Sequence, residues 1–201
     1  SAAGPVYSAY SPTNGWSAQS QTRSTPQTAY SQKVLRTSPT KNQMIMAIQD
    51  AGRNVNLAVW NGSNWDNFTS AGAGNSLTTR SFDVAYEQLT GRAILAYRGG
   101  DGTTGTWPPS ETIYYRIWTG TAWDAVSAGI TDQSIAGTYS IDWVSLYPKP
   151  GTNQIVMLFH MTNGLLYGRV WNGAAWSTPP TTLNPTAALC PSSQFFDFAY
   201  E

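Results

Sequence analysis

A Trp-bearing hairpin motif repeated three times, short β-rich runs punctuated by Gly turns, and the lack of any helical period together predict an all-β chain. The architecture they predict is a β-propeller, or a propeller segment, of four-stranded antiparallel blades, with three complete units plus partial terminal units. The motif is Trp-[Asn/Thr]-Gly-x-x-Trp. It runs from Trp60 to Trp65, from Trp118 to Trp123 and from Trp171 to Trp176, and its second Trp recurs after 58 and then 53 residues.

Each unit reads as four strands in a fixed order. In the middle unit, residues 81–87 form the first strand and Leu89-Thr90-Gly91 turns the chain into the second, 92–98. A Gly-rich loop leads through Trp107-Pro108-Pro109 to the third strand, 112–118, and the turn Thr119-Gly120-Thr121 leads to the fourth, 122–126. These runs are rich in β-branched and aromatic residues and bounded by turn formers, the pattern of strands. The next unit repeats the order over 139–147, 153–159, 165–171 and 176 onward. The preceding unit begins near Tyr30, and its Asn-Gln-apolar run at 42–48 matches 153–159.

The ends are partial. Residues 5–10 followed by Asn14-Gly15-Trp16 read as a third and fourth strand with one extra residue in the turn, and 196–201 repeat 82–87 nearly letter for letter, which reads as a first strand. The division is a partial unit over 1–28, units over about 29–80, 81–138 and 139–193, and the first strand of a further unit over 194–201, all within one region, 1–201. A ring usually closes by completing one blade from both termini, because an open sheet edge invites aggregation. A blade shared here lacks its second strand. The expectation is a segment of a longer propeller. The alternatives are a missing strand supplied by a partner, with self-association through the incomplete terminal blade, and a small four-bladed ring.

The repeated Trp hairpins and four-strand order resemble the extracellular propellers with Trp-rich blades, including sialidase-like and lectin-like members. The resemblance is one of pattern over nearly the whole chain. The Ser-x-Asp-x-Gly-x-Thr-Trp box of sialidases is absent, and so is the Trp-Asp ending of the familiar intracellular blades. The resemblance therefore implies the architecture and no catalytic residues.

Composition narrows the function. Charged residues make up 11% of the chain and the formal net charge is zero, which gives no electrostatic hold on a phosphate backbone and argues against a nucleic-acid partner. No apolar run approaches the roughly 18 residues of a membrane helix. The wealth of Ser, Thr, Asn, Gly and aromatic residues points to an extracellular or cell-surface protein, with any export signal already removed. Cys190 is the one cysteine; it reads as a small apolar residue, with a link to another chain as the sharper alternative.

The candidate ligand-binding residues are Trp60, Trp65, Trp118, Trp123, Trp171 and Trp176, together with Arg116 and Arg169, each two residues before a motif Trp. The Trp pairs either seal contacts between sheets or offer an indole face to a sugar ring. The arginines either stack on Trp with a carboxylate partner or donate to a ligand beside it. Asp83, Asp142 and Asp197 form a second set, matched to Ser31 in the first unit, and read as structural hydrogen-bond acceptors or as a ring of cation ligands. Asp101 alone is too little for calcium. His160 has no triad partner. A glycosidase needs two carboxyl groups flanking a bond, and Glu87, Glu111 and Asp83 are the candidates without a pairing. Asn61 and Asn67 open glycosylation acceptor triplets. The sequence implies no cofactor and no metal. The leading expectation is a non-catalytic binding or adhesion module for a glycan or cell-surface polymer. A structural subunit of an extracellular filament or surface assembly is the first alternative and a glycosidase-like enzyme the second.

Overall fold

The computed structural model describes residues 4–22, 29–73, 78–99, 112–125, 130–131, 139–178, 180–184, 194 and 196–201. The N-terminal segment holds β1 (Val6–Tyr7), β2 (Tyr10–Ser11), β3 (Gly15–Trp16) and β4 (Ser20–Gln21). Three four-stranded antiparallel sheets follow. The first is β5 (Tyr30–Thr37), β6 (Met44–Asp50), β7 (Asn54–Trp60) and β8 (Trp65–Ala73). The second is β9 (Phe82–Tyr86), β10 (Ala93–Arg98), β11 (Thr112–Trp118) and β12 (Ile130–Thr131). The third is β13 (Ile141–Pro148), β14 (Ile155–Met161), β15 (Leu166–Trp171) and β16 (Thr181–Asn184). Each is a simple up-and-down meander, so the predicted four-strand order stands in all three. No helix of the described residues is long and apolar enough to cross a membrane.

The sheets stack face to face. One core layer joins Ile45, Leu57 and Val59 of the first sheet to Phe82, Val84 and Leu95 of the second. Another joins Ile94, Ala96 and Ile113 of the second to Val144, Leu146 and Met157 of the third. The middle sheet is thus covered on both faces. That is why β9 and β10 are buried at every position and show no apolar–polar alternation.

The first strands β5, β9 and β13 lie side by side, and Asp83 stitches them. Its carboxylate, 1% exposed, accepts from Arg36 Nη2 of β5 at 3.0 and 3.3 Å, from the Leu146 amide of β13 at 3.0 Å, and from the Val84 amide of its own strand at 2.8 Å. Arg36 Nε also donates to the Val84 carbonyl at 3.2 Å, and the Val144 amide to the Arg80 carbonyl at 3.1 Å. Burial pushes the Asp83 carboxyl upward, and Arg36, Arg80 and the two amides pull it back.

Two expectations need correction. Asp83 and Asp142 are not equivalent. Asp83 faces Ala96 in a regular ladder, where the sister strands place Val34 and Ser145, whereas Asp142 sits at a bulge between Ile141 and Trp143, as Ser31 does between Tyr30 and Gln32. Letter matching missed the bulge because the middle unit enters its ladder without one. In the second and third sheets the fourth strand begins later than the motif suggests. Trp123 and Trp176 make only single bridges, to Trp118 and Trp171, and the ladders resume at β12 and β16. Residues 196–201 lie against β13, with the Tyr200 hydroxyl on the Tyr147 carbonyl at 3.0 Å and the Phe198 and Tyr147 rings 5.6 Å apart. They stand against a first strand, as β9 stands against β5 and β13, and form no ladder among the described residues.

Removing the carboxylate takes an acceptor from the buried Val84 and Leu146 amides and the ion-pair partner from Arg36. Asp83→Ala is expected to lower stability by about 3–5 kcal/mol. Arg36→Ala, whose side chain is 40% exposed, is expected to lower it by about 1 kcal/mol. Urea denaturation midpoints check both.

Candidate functional site

The Trp hairpins are built alike. The motif glycines take φ of +100° at Gly62, +101° at Gly120 and +96° at Gly173, a conformation that a Cβ disfavours. The residue before each glycine closes the turn. Asn61 Oδ1 accepts from the Ser63 and Asn64 amides, Asn172 Oδ1 from those of Ala174 and Ala175, and Thr119 Oγ1 from that of Ala122. The paired indoles meet at 5.8, 5.5 and 5.5 Å between centroids.

Two of the hairpins plug into the preceding sheet. Trp118 and Trp171 are 1% exposed and Trp176 8%. Trp118 Nε1 donates to Gln43 Oε1 of the first sheet at 2.8 Å, and Gln43 Nε2 reaches the Gly120 carbonyl at 3.4 Å. The next joint splits these two jobs. Trp171 Nε1 donates to Glu87 Oε1 at 2.7 Å, while Arg92, in the register position of Gln43, donates through Nη2 to the Gly173 carbonyl at 2.6 Å. Glu87, 1% exposed, also takes Arg92 at 2.7 Å and the Thr90 hydroxyl. Trp60 and Trp65 are half-buried beneath Tyr7, at 6.1 and 5.9 Å, just as Trp171 and Trp176 lie against Tyr115.

This packing leaves no indole face of Trp118 or Trp171 for a ligand and takes Glu87 out of reach of a substrate. Both arginines reach backbone carbonyls, and Arg116 also keeps its guanidinium over the Trp123 ring. Arg116 donates to the Asp124 carbonyl at 2.6 and 2.9 Å and Arg169 to the Ser177 carbonyl at 2.6 Å, pinning the strand that leaves the hairpin. Arg116 stays half-buried with its guanidinium 6.0 Å from the Trp123 ring, and Arg169 is buried. Asn61 and Asn67 are exposed. His160 is buried at the end of β14, which holds its imidazole below the ordinary value of 6.5. Asp101, Glu111 and Cys190 lie outside the described residues. Among the described residues, no three His, Cys, Asp or Glu side chains converge on a metal position.

What the structure gathers instead is a cleft of about 300 Å³ at the inner strands, lined by Arg36, Arg80, Asp83, Ser145, Tyr147, Gln194 and Asp197. Arg80 stands 4.0 Å from Asp83, donates to Ser145 Oγ at 3.3 Å and lies 5.0 Å over the Trp143 ring. Asp197 accepts the amide of the residue that follows it, as Asp83 does. Asp83 is occupied by its own framework; Asp197 and Gln194 are exposed. The repeated Phe-Asp of 82–83 and 196–197 pointed toward this cleft. Arg36, Arg80 and Gln194 carried no signal, because they sit at positions the other units fill differently.

No family model matches the chain, and no curated protein does. Among solved structures it is similar to AofleA from Arthrobotrys oligospora, with a TM-score of 0.49 and 14% identity over 88% of this chain and 49% of that one. It is also similar to a GH62 hydrolase solved in complex with xylotriose, with a TM-score of 0.46 and 14% identity over 79% and 52%. The chain spans about half the length of each.

Trp118→Ala and Trp171→Ala should each lower stability by about 3–5 kcal/mol, and Trp16→Ala, at a residue 71% exposed, should stay within about 0.5 kcal/mol of the parent; urea unfolding followed by circular dichroism separates them. His160 titrates the other way from an ion-paired histidine. The folded state takes its proton less readily than the unfolded chain, so stability is present above 6.5 and falls as pH drops below it. His160→Gln, which places there the residue of the matching position Gln49, should flatten that acid-side loss in urea midpoints measured between neutral and mildly acidic pH.

Proposed function

We propose that these sheets are blades of a β-propeller and that the chain is a non-catalytic, extracellular or cell-surface carbohydrate-binding module whose ligand sits in the inner-strand cleft. The observation that carries the reading is the lining of that cleft. Two arginines and two aspartates balance in charge, and Gln194, Ser145 and Tyr147 add neutral donors and acceptors. A balanced, hydrogen-bond-rich lining suits an uncharged polyhydroxylated ligand better than an anion, since no net positive charge is left to attract one. A volume near 300 Å³ stands at the small end of ligand sites, about 300–1,000 Å³, and suits a short saccharide. Asp83 has its lone pairs taken by framework donors, which supports binding over acid–base catalysis. The Arg116–Trp123 surface is the second reading, because it is the half-buried part of the motif that keeps a cation beside a ring.

Glycan-array screening followed by calorimetry tests this. Gln194→Ala and Asp197→Asn are expected to weaken the bound glycan about tenfold or more, the effect of losing a hydrogen bond in a charged site, with the urea midpoint unchanged. Loss in Arg116→Ala or Trp123→Ala alone moves the site to the hairpin surface. Absence of any glycan binding, or turnover of a glycoside, overturns the proposal.

A further inference from the structure

Two of the three Trp hairpins hold a carboxamide in an arrangement the third lacks. Asn61 and Asn172 each precede a glycine, where the middle hairpin has Thr119 before Gly120. Asn61 Oδ1 accepts from the Ser63 amide at 3.0 Å and the Asn64 amide at 2.9 Å, and Asn172 Oδ1 accepts from the Ala174 and Ala175 amides at 2.9 Å each. Backbone amides only donate, so these bonds fix which end of each carboxamide is the oxygen. Both asparagines are exposed. The next amide along the chain, that of Gly62 or Gly173, makes no hydrogen bond among the described residues.

A free glycine amide beside an asparagine is the nucleophile for one intramolecular reaction. Its nitrogen attacks the side-chain carbonyl carbon, Cγ, and closes a succinimide ring. Glycine has no Cβ to obstruct that approach. Negative charge gathers on Oδ1 as the bond forms, and two amides already aimed at that oxygen stabilise it in the manner of an oxyanion hole. Two further Asn-Gly pairs lack the arrangement. In Asn163-Gly164, Oδ1 accepts from the Leu165 amide alone, at 3.1 Å, and the Gly164 amide is engaged by the Met161 carbonyl at 2.8 Å. In Asn14-Gly15 the glycine is paired with Ser11 inside β3, and no described amide donates to the Asn14 side chain.

We propose that Asn61 and Asn172 are self-modifying sites, which the hairpin fold selects for deamidation over the other Asn-Gly pairs. The Gly N–Cγ bond forms, the Cγ–Nδ2 bond breaks, and ammonia leaves with the amide proton. Water then opens the ring. Opening at Cγ leaves aspartate. Opening at the backbone carbonyl leaves isoaspartate, whose main chain runs through Cγ and is longer by one methylene. At 172 the lengthened turn displaces the Gly173 carbonyl from Arg92 Nη2, the 2.6 Å bond that helps seat the third sheet on the second. The Gly62 carbonyl holds no such bond among the described residues. Conversion at 172 therefore loosens a joint, and conversion at 61 does not. The reaction is independent of glycan binding.

Incubation of the folded protein at mildly alkaline pH, with peptide mapping by mass spectrometry and enzymatic methylation of isoaspartate, tests this. Residues 61 and 172 are expected to convert several-fold faster than 14 and 163. In urea, where only the shared Asn-Gly pair remains, the four rates are expected to converge. The urea midpoint of the parent is expected to fall as 172 converts. Asn172→Thr copies the middle hairpin, where Thr119 Oγ1 accepts from the Ala122 amide, and is expected to hold its midpoint through the incubation. Asn61→Thr is expected to lose stability as the parent does. Conversion at 14 or 163 as fast as at 61 and 172 in the folded protein overturns the proposal. So does the absence of conversion at 61 and 172, or a midpoint that falls equally in Asn172→Thr.

Discussion

The stack depends on one interaction: the first tryptophan of each plugged hairpin, Trp118 or Trp171, brings an N–H into the joint, and the preceding sheet supplies its acceptor. Burial of the indole is the larger favourable term, about 3 kcal/mol or more for so large a side chain. An indole N–H left without a partner gives back about 1–3 kcal/mol of it. Gln43 for Trp118 and Glu87 for Trp171 prevent that loss. Because each acceptor belongs to the sheet before, the bond also fixes which face meets which and at what height. Apolar packing alone, being non-directional, does not set that register.

A second fixed point lies on the inner strands. Asp83 ties β5, β9 and β13 through one carboxylate. The hairpins secure one end of each sheet joint and the aspartate secures the inner edge, so relative rotation of the sheets is restrained at two separated places. The polar cleft is a consequence of the same arrangement. The inner strands converge there, and the side chains that cannot enter the apolar layers, Arg36, Arg80 and Asp197 among them, are left facing a shared space.

Much of the fold was legible because its signals are local. The Gly of each hairpin needs a positive φ, the Asn or Thr before it caps the turn, and strand order follows from runs of β-branched and aromatic residues. The position of Asp83 was misread because a bulge shifts register without leaving a mark in composition. The bonds of Arg116 and Arg169 to the backbone carbonyls of Asp124 and Ser177 were not legible, because a carbonyl is present at every residue and so gives no sequence signal. The cleft was the least legible feature. It collects side chains from three inner strands and the C-terminal segment, and only their packing brings those residues together.

The most direct test of the inter-sheet joint is hydrogen exchange at the individual indole nitrogens, followed by NMR on the folded protein. If the hairpins are plugged into the preceding sheet, the Nε1 protons of Trp118 and Trp171 exchange slowly, near the global unfolding limit, while that of Trp16 exchanges as in a free peptide. Fast exchange at Trp118 and Trp171, comparable to Trp16, would contradict the account.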